Sequence, residues 1–188
     1  MEFKPNTLYH VYNRGNNKEK IFFNYGNYLY FIKKVEKYLL PHCDLLAYCL
    51  MPNHFHFLIE SKDKSEEKEI NRAFQIILSS YSQAVNKQQN RTGSLFQQHT
   101  KAKVLETKNP LYAETCFHYI HQNPLKAGLV KKIERWEFSS AKEYALLRNE
   151  KLCNQEKAWL LFNISEDGNE FLELSRQVLS EEMIERIF

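Results

Sequence analysis

Two histidines one residue apart, His54 and His56, stand in the segment Met51-Pro52-Asn53-His54-Phe55-His56-Phe57-Leu58-Ile59. Bulky and β-branched residues after a proline predict a β-strand. Side chains alternate along a strand, so both imidazoles leave the same face, close enough to share one metal ion. Phe55, Phe57 and Ile59 leave the opposite face and predict a core. Two imidazoles on an anchored strand are a device for holding a divalent cation.

A second cluster is Phe117-His118-Tyr119-Ile120-His121-Gln122-Asn123-Pro124. Tyr119 and Asn123 are four residues apart and share one face of a helix. If that helix crosses the open face of the sheet, both approach His54 and His56. Asn123 would then offer a carbonyl oxygen as a third metal ligand, and Tyr119 a phenol beside the ion. This is a constellation for phosphoryl transfer. A phenol with a pKa of ~10 is about one part in a thousand ionised at neutral pH, a cost of roughly 4 kcal/mol. A divalent ion on a non-bridging phosphate oxygen lowers the barrier as a Lewis acid. Attack by the tyrosine would give a covalent phosphotyrosine and release a 3′-hydroxyl. Mg²⁺ or Mn²⁺ suits such a site, and Mn²⁺ tolerates imidazole better.

The elements that must position these groups follow from periodicity. Residues 7–13 predict a first strand and 25–40 an amphipathic helix ended by Pro41. Residues 43–50 and 54–59 predict a hairpin turning at Met51-Pro52-Asn53. A helix is predicted over 69–87 and a fourth strand over 101–106. Asn109 and Pro110 predict the cap and first turn of a helix that runs to about residue 122, where Pro124 should stop it. The order β-α-β-β-α-β-α matches an α+β, ferredoxin-like (split βαβ) fold with a four- to five-stranded antiparallel sheet. Two helices would cover one face, and the helix carrying Tyr119 would cross the other. Residues 1–140 are expected to form the catalytic domain. Residues 141–188 are expected to form a helical extension of it, anchored by Trp159, Leu160, Leu161 and Phe162.

The chain has 188 residues and a net charge of +3, enough for one domain and compatible with a nucleic-acid partner without requiring it. No run of eighteen apolar residues predicts a membrane span, and the first residues lack the pattern of a signal peptide. Cys43, Cys49, Cys116 and Cys153 show no paired spacing and are expected to be buried thiols of a cytoplasmic protein.

The chain resembles the HUH endonuclease superfamily, and within it the single-tyrosine, IS200-like transposases, most closely the REP-associated tyrosine transposases. The resemblance is carried by Tyr9-His10-Val11-Tyr12-Asn13-Arg14-Gly15-Asn16-Asn17, by Met51-Pro52-Asn53-His54-Phe55-His56 and by Gly93-Ser94-Leu95-Phe96-Gln97. It continues through Tyr119 to Val130 and ends near Trp136-Glu137-Phe138-Ser139-Ser140, about three quarters of the chain. It implies metal-dependent cleavage and rejoining of single-stranded DNA near palindromic hairpins, by a monomer or homodimer, through a 5′-phosphotyrosine intermediate. It implies His54 and His56 as metal ligands, Tyr119 as nucleophile and Asn123 as third ligand. Gln122 and His118 depart from the family pattern, so Gln122 and His121 stay open beside Asn123 as third ligands.

Other readings stand beside this one. The same fold could bind DNA hairpins without catalysis. A cupin-like metal box would use His54, His56 and Glu60, but its glycines are missing and predicted long helices suit a barrel poorly. His10 reads as a strand residue that could touch the site, and His99 and His121 as DNA contacts or surface histidines. Arg14, Lys101 and Lys103 are candidate phosphate contacts, the last two on one face of the fourth strand.

Overall fold

In the computed structural model, residues 1–105, 110–162, 164–177 and 179–185 are described. The expected cap Asn109 and the last expected strand residue, Glu106, lie outside them. Four strands, β1 (Leu8–Arg14), β2 (Cys43–Met51), β3 (His54–Ser61) and β4 (Lys101–Leu105), form one antiparallel sheet in the order β2-β3-β1-β4. With α1 (Tyr25–Lys34) between β1 and β2, and α2 (Glu67–Gln88) between β3 and β4, this is the expected split βαβ arrangement. A fifth full strand is absent among the described residues. Instead Phe138–Ser140 runs along the free edge of β2, where the Leu50 N–H donates to Phe138 O at 2.8 Å and the Ser140 N–H to Tyr48 O at 3.0 Å.

Alternation sorts the two faces. Tyr9, Val11, Phe55, Phe57 and Ile59 are buried. On their side Phe31 of α1 meets Phe55, Phe57 and Tyr81 of α2 at ring-centroid distances of 5.4, 6.3 and 4.9 Å. The Tyr81 hydroxyl donates to Ile21 O at 2.7 Å, which satisfies a phenol that would otherwise be buried at a cost. A reciprocal capping box between Glu66 and Glu69 starts α2. α1 ends in a widened turn over Val35–Leu39, closed by the Leu40 N–H on Val35 O.

The other face carries His10, Tyr12 and Arg14 of β1 beside His56 and His54 of β3, and Lys101 and Lys103 of β4 beyond them. Across its β2–β3 half lies α3 (Pro110–Lys126). This helix passes through Pro124 rather than stopping near residue 122. Proline removes one N–H, but so close to the helix end it disrupts little beyond the Ile120 carbonyl. The Asn123 side-chain amide covers that region, donating to Tyr119 O at 2.8 Å and approaching Ile120 O at 3.5 Å. The helix ends at Gly128, whose φ of +68° suits glycine. The Gly128 N–H donates to Leu125 O and the Leu129 N–H to Pro124 O, a Schellman pattern that the glycine made readable.

Among the described residues, four short α-helices follow: α4 (Ala141–Tyr144), α5 (Gln155–Phe162), α6 (Gly168–Ser175) and α7 (Glu181–Glu185). α5, α6 and α7 pack against α3, and α5 also touches β2. There the ring of Phe117 meets Tyr144, Phe162 and Phe171 at 4.8, 5.6 and 6.0 Å. Phe162 is buried, and Trp159 and Leu161 are packed in part, whereas Leu160 is 86% exposed and anchors nothing. Phe117→Ala is expected to cost about 3–5 kcal/mol, as for a fully buried aromatic. Urea unfolding would measure this, and a loss under about 1 kcal/mol would mean that the extension adds little to the fold. No helix among the described residues is long and apolar enough to cross a membrane. The four cysteines are buried and free.

Candidate active site

The hairpin of β2 and β3 has only Pro52 and Asn53 between its strands, so His54 and His56 leave the sheet at its very end. Their rings lie 5.0 Å apart, centroid to centroid, and nearly perpendicular. Each ring is tied from behind. His54 Nδ1 lies 2.6 Å from Asn53 Oδ1, and His56 Nδ1 lies 2.9 Å from His10 Nε2. Burial lowers the pKa of His54, opposed by its bond to Asn123 and reinforced by the charge of Arg14. Burial, with His10 and His54 close by, holds His56 well below the usual imidazole range. Both rings are therefore neutral near pH 7, the form that binds metals.

α3 brings the second half. Tyr119 stands edge-on to His56 with ring centroids 5.8 Å apart. Its phenol is pushed up to about 12, mainly by burial, while a hydrogen bond from Asn123 pulls the other way. The Asn123 carboxamide is thus in hydrogen-bonding reach of both His54 and the Tyr119 phenol. Of the three candidates for a third ligand, Asn123 alone turns to the histidines. Gln122 donates to Ser175 O at 3.0 Å and Gln177 O at 2.8 Å, on the side of the C-terminal helices. His121 is fully buried against Ser140 Oγ at 2.7 Å, so it is neither a surface histidine nor a DNA contact. His118, also buried, bonds Ser175 Oγ at 2.8 Å.

Among the described residues no group of three His, Cys, Asp and Glu side chains has metal-binding spacing. Two imidazoles with a converging amide oxygen fit a divalent ion of the Mn²⁺ or Mg²⁺ kind. Glu60 lies outside this set. It is ion-paired with Lys157 of α5, four residues along β3 from His56. Glu60→Gln is therefore expected to leave Mn²⁺ affinity within about twofold, equivalent to less than 0.5 kcal/mol. Isothermal titration checks this, and loss of binding would restore the cupin-like reading.

Around these groups opens a cleft of about 460 Å³. Its walls include Tyr12, Arg14, Lys18, His99, Lys101 and Tyr119. Lys101 Nζ lies 5.7 Å from the centre of the Tyr12 ring, and Lys126 Nζ lies 5.4 Å from that of Tyr119. Arg14 and Lys101 are exposed on the rim. Lys103, two residues along β4, stands opposite His10 and near Cys116 of α3, outside the cleft lining. The loop carrying His99 is held by the Gln97 N–H on Arg14 O, and by Asn13 Nδ2 on Gln97 O and Thr100 Oγ1. Leu95 and Phe96 anchor it in the core.

Behind the two imidazoles stand His10 and Asn53, which the sequence alone shows as a strand residue and a turn residue. The pairing of β1 with β3 brings His10 to His56 across 46 positions of sequence, which no local pattern shows. Two comparisons bear on this arrangement. A solved structure of a REP-associated tyrosine transposase bound to a REP hairpin superposes with a TM-score of 0.65. The match is at 15% identity and covers 78% of this chain and 83% of that one, which establishes a shared fold. Among curated proteins, no sequence is similar enough to count as a match. The family model described as "Transposase IS200 like" matches residues 4–123, a span that runs from before β1 to Asn123 itself. The chain belongs to the family of IS200-like transposases.

Proposed function

We propose that this protein cleaves and rejoins single-stranded DNA at or near palindromic hairpins, with Tyr119 as nucleophile. The observation that carries this reading is the convergence of Tyr119 and Asn123 from α3 on His54 and His56 from β3, at one cationic cleft. His54, His56 and Asn123 would hold a divalent ion, Mg²⁺ or Mn²⁺. Such an ion supplies Lewis-acid stabilisation of the charge that develops on a phosphate oxygen.

The chain's own residues supply the rest. Arg14 and Lys101 are placed to neutralise phosphates of an incoming strand, with Lys103 further along the same strand of the sheet. Tyr12 and His99 offer flat rings to unstacked bases. Tyr119 Oη attacks the phosphorus, a P–O bond to Tyr119 forms and the P–O3′ bond breaks. The phenolic proton is given up and O3′ gains one, so the products are a 5′-phosphotyrosine and a 3′-hydroxyl. With a phenol at about 12, little phenolate exists beforehand, so the proton must leave as the bond forms. Asn123, bonded to the phenol, favours its charged form. A 3′-hydroxyl attacking the phosphotyrosine reverses these bonds and rejoins the strand.

The hairpin-bound relative shares the fold and supports the choice of substrate. The direct test is to incubate the protein with labelled single-stranded hairpin DNA and Mn²⁺ and to look for a covalent adduct on denaturing gels. Tight binding with no adduct on any hairpin would instead assign the chain as a hairpin-binding protein without catalysis.

A further inference from the structure

Each histidine proposed as a metal ligand has its Nδ1 occupied. His54 Nδ1 faces Asn53 Oδ1 at 2.6 Å, and His56 Nδ1 faces His10 Nε2 at 2.9 Å. The first contact has one reading. A carbonyl oxygen only accepts, so His54 Nδ1 carries the proton and Nε2 holds the lone pair. The second joins two ring nitrogens, one of which must donate. Were His10 Nε2 the donor, the lone pair of His56 would sit on Nδ1, pointing at His10 and away from the cleft. With His56 Nδ1 as donor, its lone pair is on Nε2, like that of His54, and His10 is the tautomer protonated on Nδ1.

We infer that His10 and Asn53 are positioning residues that fix His54 and His56 in the Nδ1–H tautomer, so that both offer Nε2 to the same ion. The inference rests on the metal-binding reading above for the direction of the His10–His56 bond, and on the contacts themselves for the rest. Three features of the fold hold these partners in place. His10 is fully buried and His56 nearly so, which keeps water from substituting for either partner. Tyr12, directly opposite His56 in the β1–β3 pairing, packs on both rings, at 4.8 Å from His10 and 5.8 Å from His56. Asn53 is itself fixed, since its Nδ2 donates to Lys18 O at 3.2 Å and its carbonyl accepts from the Gly15 N–H at 2.8 Å. That second contact needs a close approach of the two loops, and Gly15 has no room for a side chain, because a Cβ there would collide with the Glu19 carbonyl. Outer partners of this kind orient metal-bound imidazoles and fix their tautomers.

The test uses the full-length protein in two measurements. In metal-free wild type, long-range ¹H–¹⁵N NMR of the imidazoles reports the tautomer directly. Both His54 and His56 should show Nδ1–H, and an Nε2–H signal from either one overturns the inference for that residue. In the second measurement Mn²⁺ is titrated by calorimetry into wild type, His10→Leu, His10→Gln, Asn53→Ala and Asn53→Asp, with folding checked by ¹H–¹⁵N spectra. His10→Leu and Asn53→Ala should each weaken Mn²⁺ binding by about 10–100-fold, the range for lost outer partners. His10→Gln and Asn53→Asp keep an acceptor oxygen and should recover most of the loss. Unchanged affinity in folded His10→Leu and Asn53→Ala overturns the proposal. Should His10→Leu not fold, His10→Gln and the Asn53 pair decide it. A wild type that binds no Mn²⁺ would sink the metal reading, while the NMR measurement still judges the tautomers.

Discussion

Tyr119→Phe is expected to bind hairpin DNA as tightly as wild type and to form no covalent adduct, with strand cleavage reduced by about 10⁴-fold or more, as when a nucleophile is removed. The substitution deletes one oxygen. The ring, its edge contact with His56 and its place beside Lys126 all remain, so packing should change little. The lost hydrogen bond is that with Asn123, which keeps its bond to Tyr119 O through the backbone. Binding is read by electrophoretic mobility and cleavage by labelled product on denaturing gels. The nearest competing phenol on the cleft wall is Tyr12, whose ring is also 5.8 Å from that of His56. Peptide mapping of the wild-type adduct should place it on Tyr119. An adduct that survives at wild-type yield in Tyr119→Phe would remove Tyr119 from the reaction and turn attention to Tyr12.

His56→Ala is expected to have the second largest effect. It removes a proposed ligand and breaks its 2.9 Å contact with the buried His10. Loss of one such hydrogen bond costs about 0.5–1.5 kcal/mol, so a lower urea midpoint is expected as well. Mn²⁺ affinity should fall by more than the about 10–100-fold typical of an outer partner. Titration of Mn²⁺ into folded protein reads the affinity directly. His54→Ala should lose a comparable factor in affinity with a smaller stability loss, because His54 is the less buried of the two and its partner Asn53 stays bonded to Lys18. If His56→Ala bound Mn²⁺ within about threefold of wild type, a difference under 1 kcal/mol, the histidine pair would not be the metal site.

Much of the fold was legible because its signals are local. A period of two puts His54 and His56 on one face of β3 and Phe55, Phe57 and Ile59 on the other, whatever the strand packs against. Element order alone was enough for the split βαβ topology, and the family model spans the same stretch. The end of α3 was missed for a local reason. Pro124 reads as a stop, whereas the residue that closes the helix is Gly128, in the left-handed conformation. The exposed Leu160 shows the limit of reading an apolar run in a short helix, where only one side is covered.

The sequence by itself determined which chemistry was available: two imidazoles two residues apart, and a phenol and an amide four residues apart. It could not decide which of His121, Gln122 and Asn123 would face the imidazoles. Consecutive helix positions point about 100° apart, and only the docking of α3 between the sheet and the C-terminal helices selects one of them. That docking turns Phe117, His118, His121 and Gln122 toward the later helices, and Tyr119 and Asn123 toward His56 and His54. The contact of His10 with His56 is likewise tertiary, because strand pairing joins residues that sequence holds far apart.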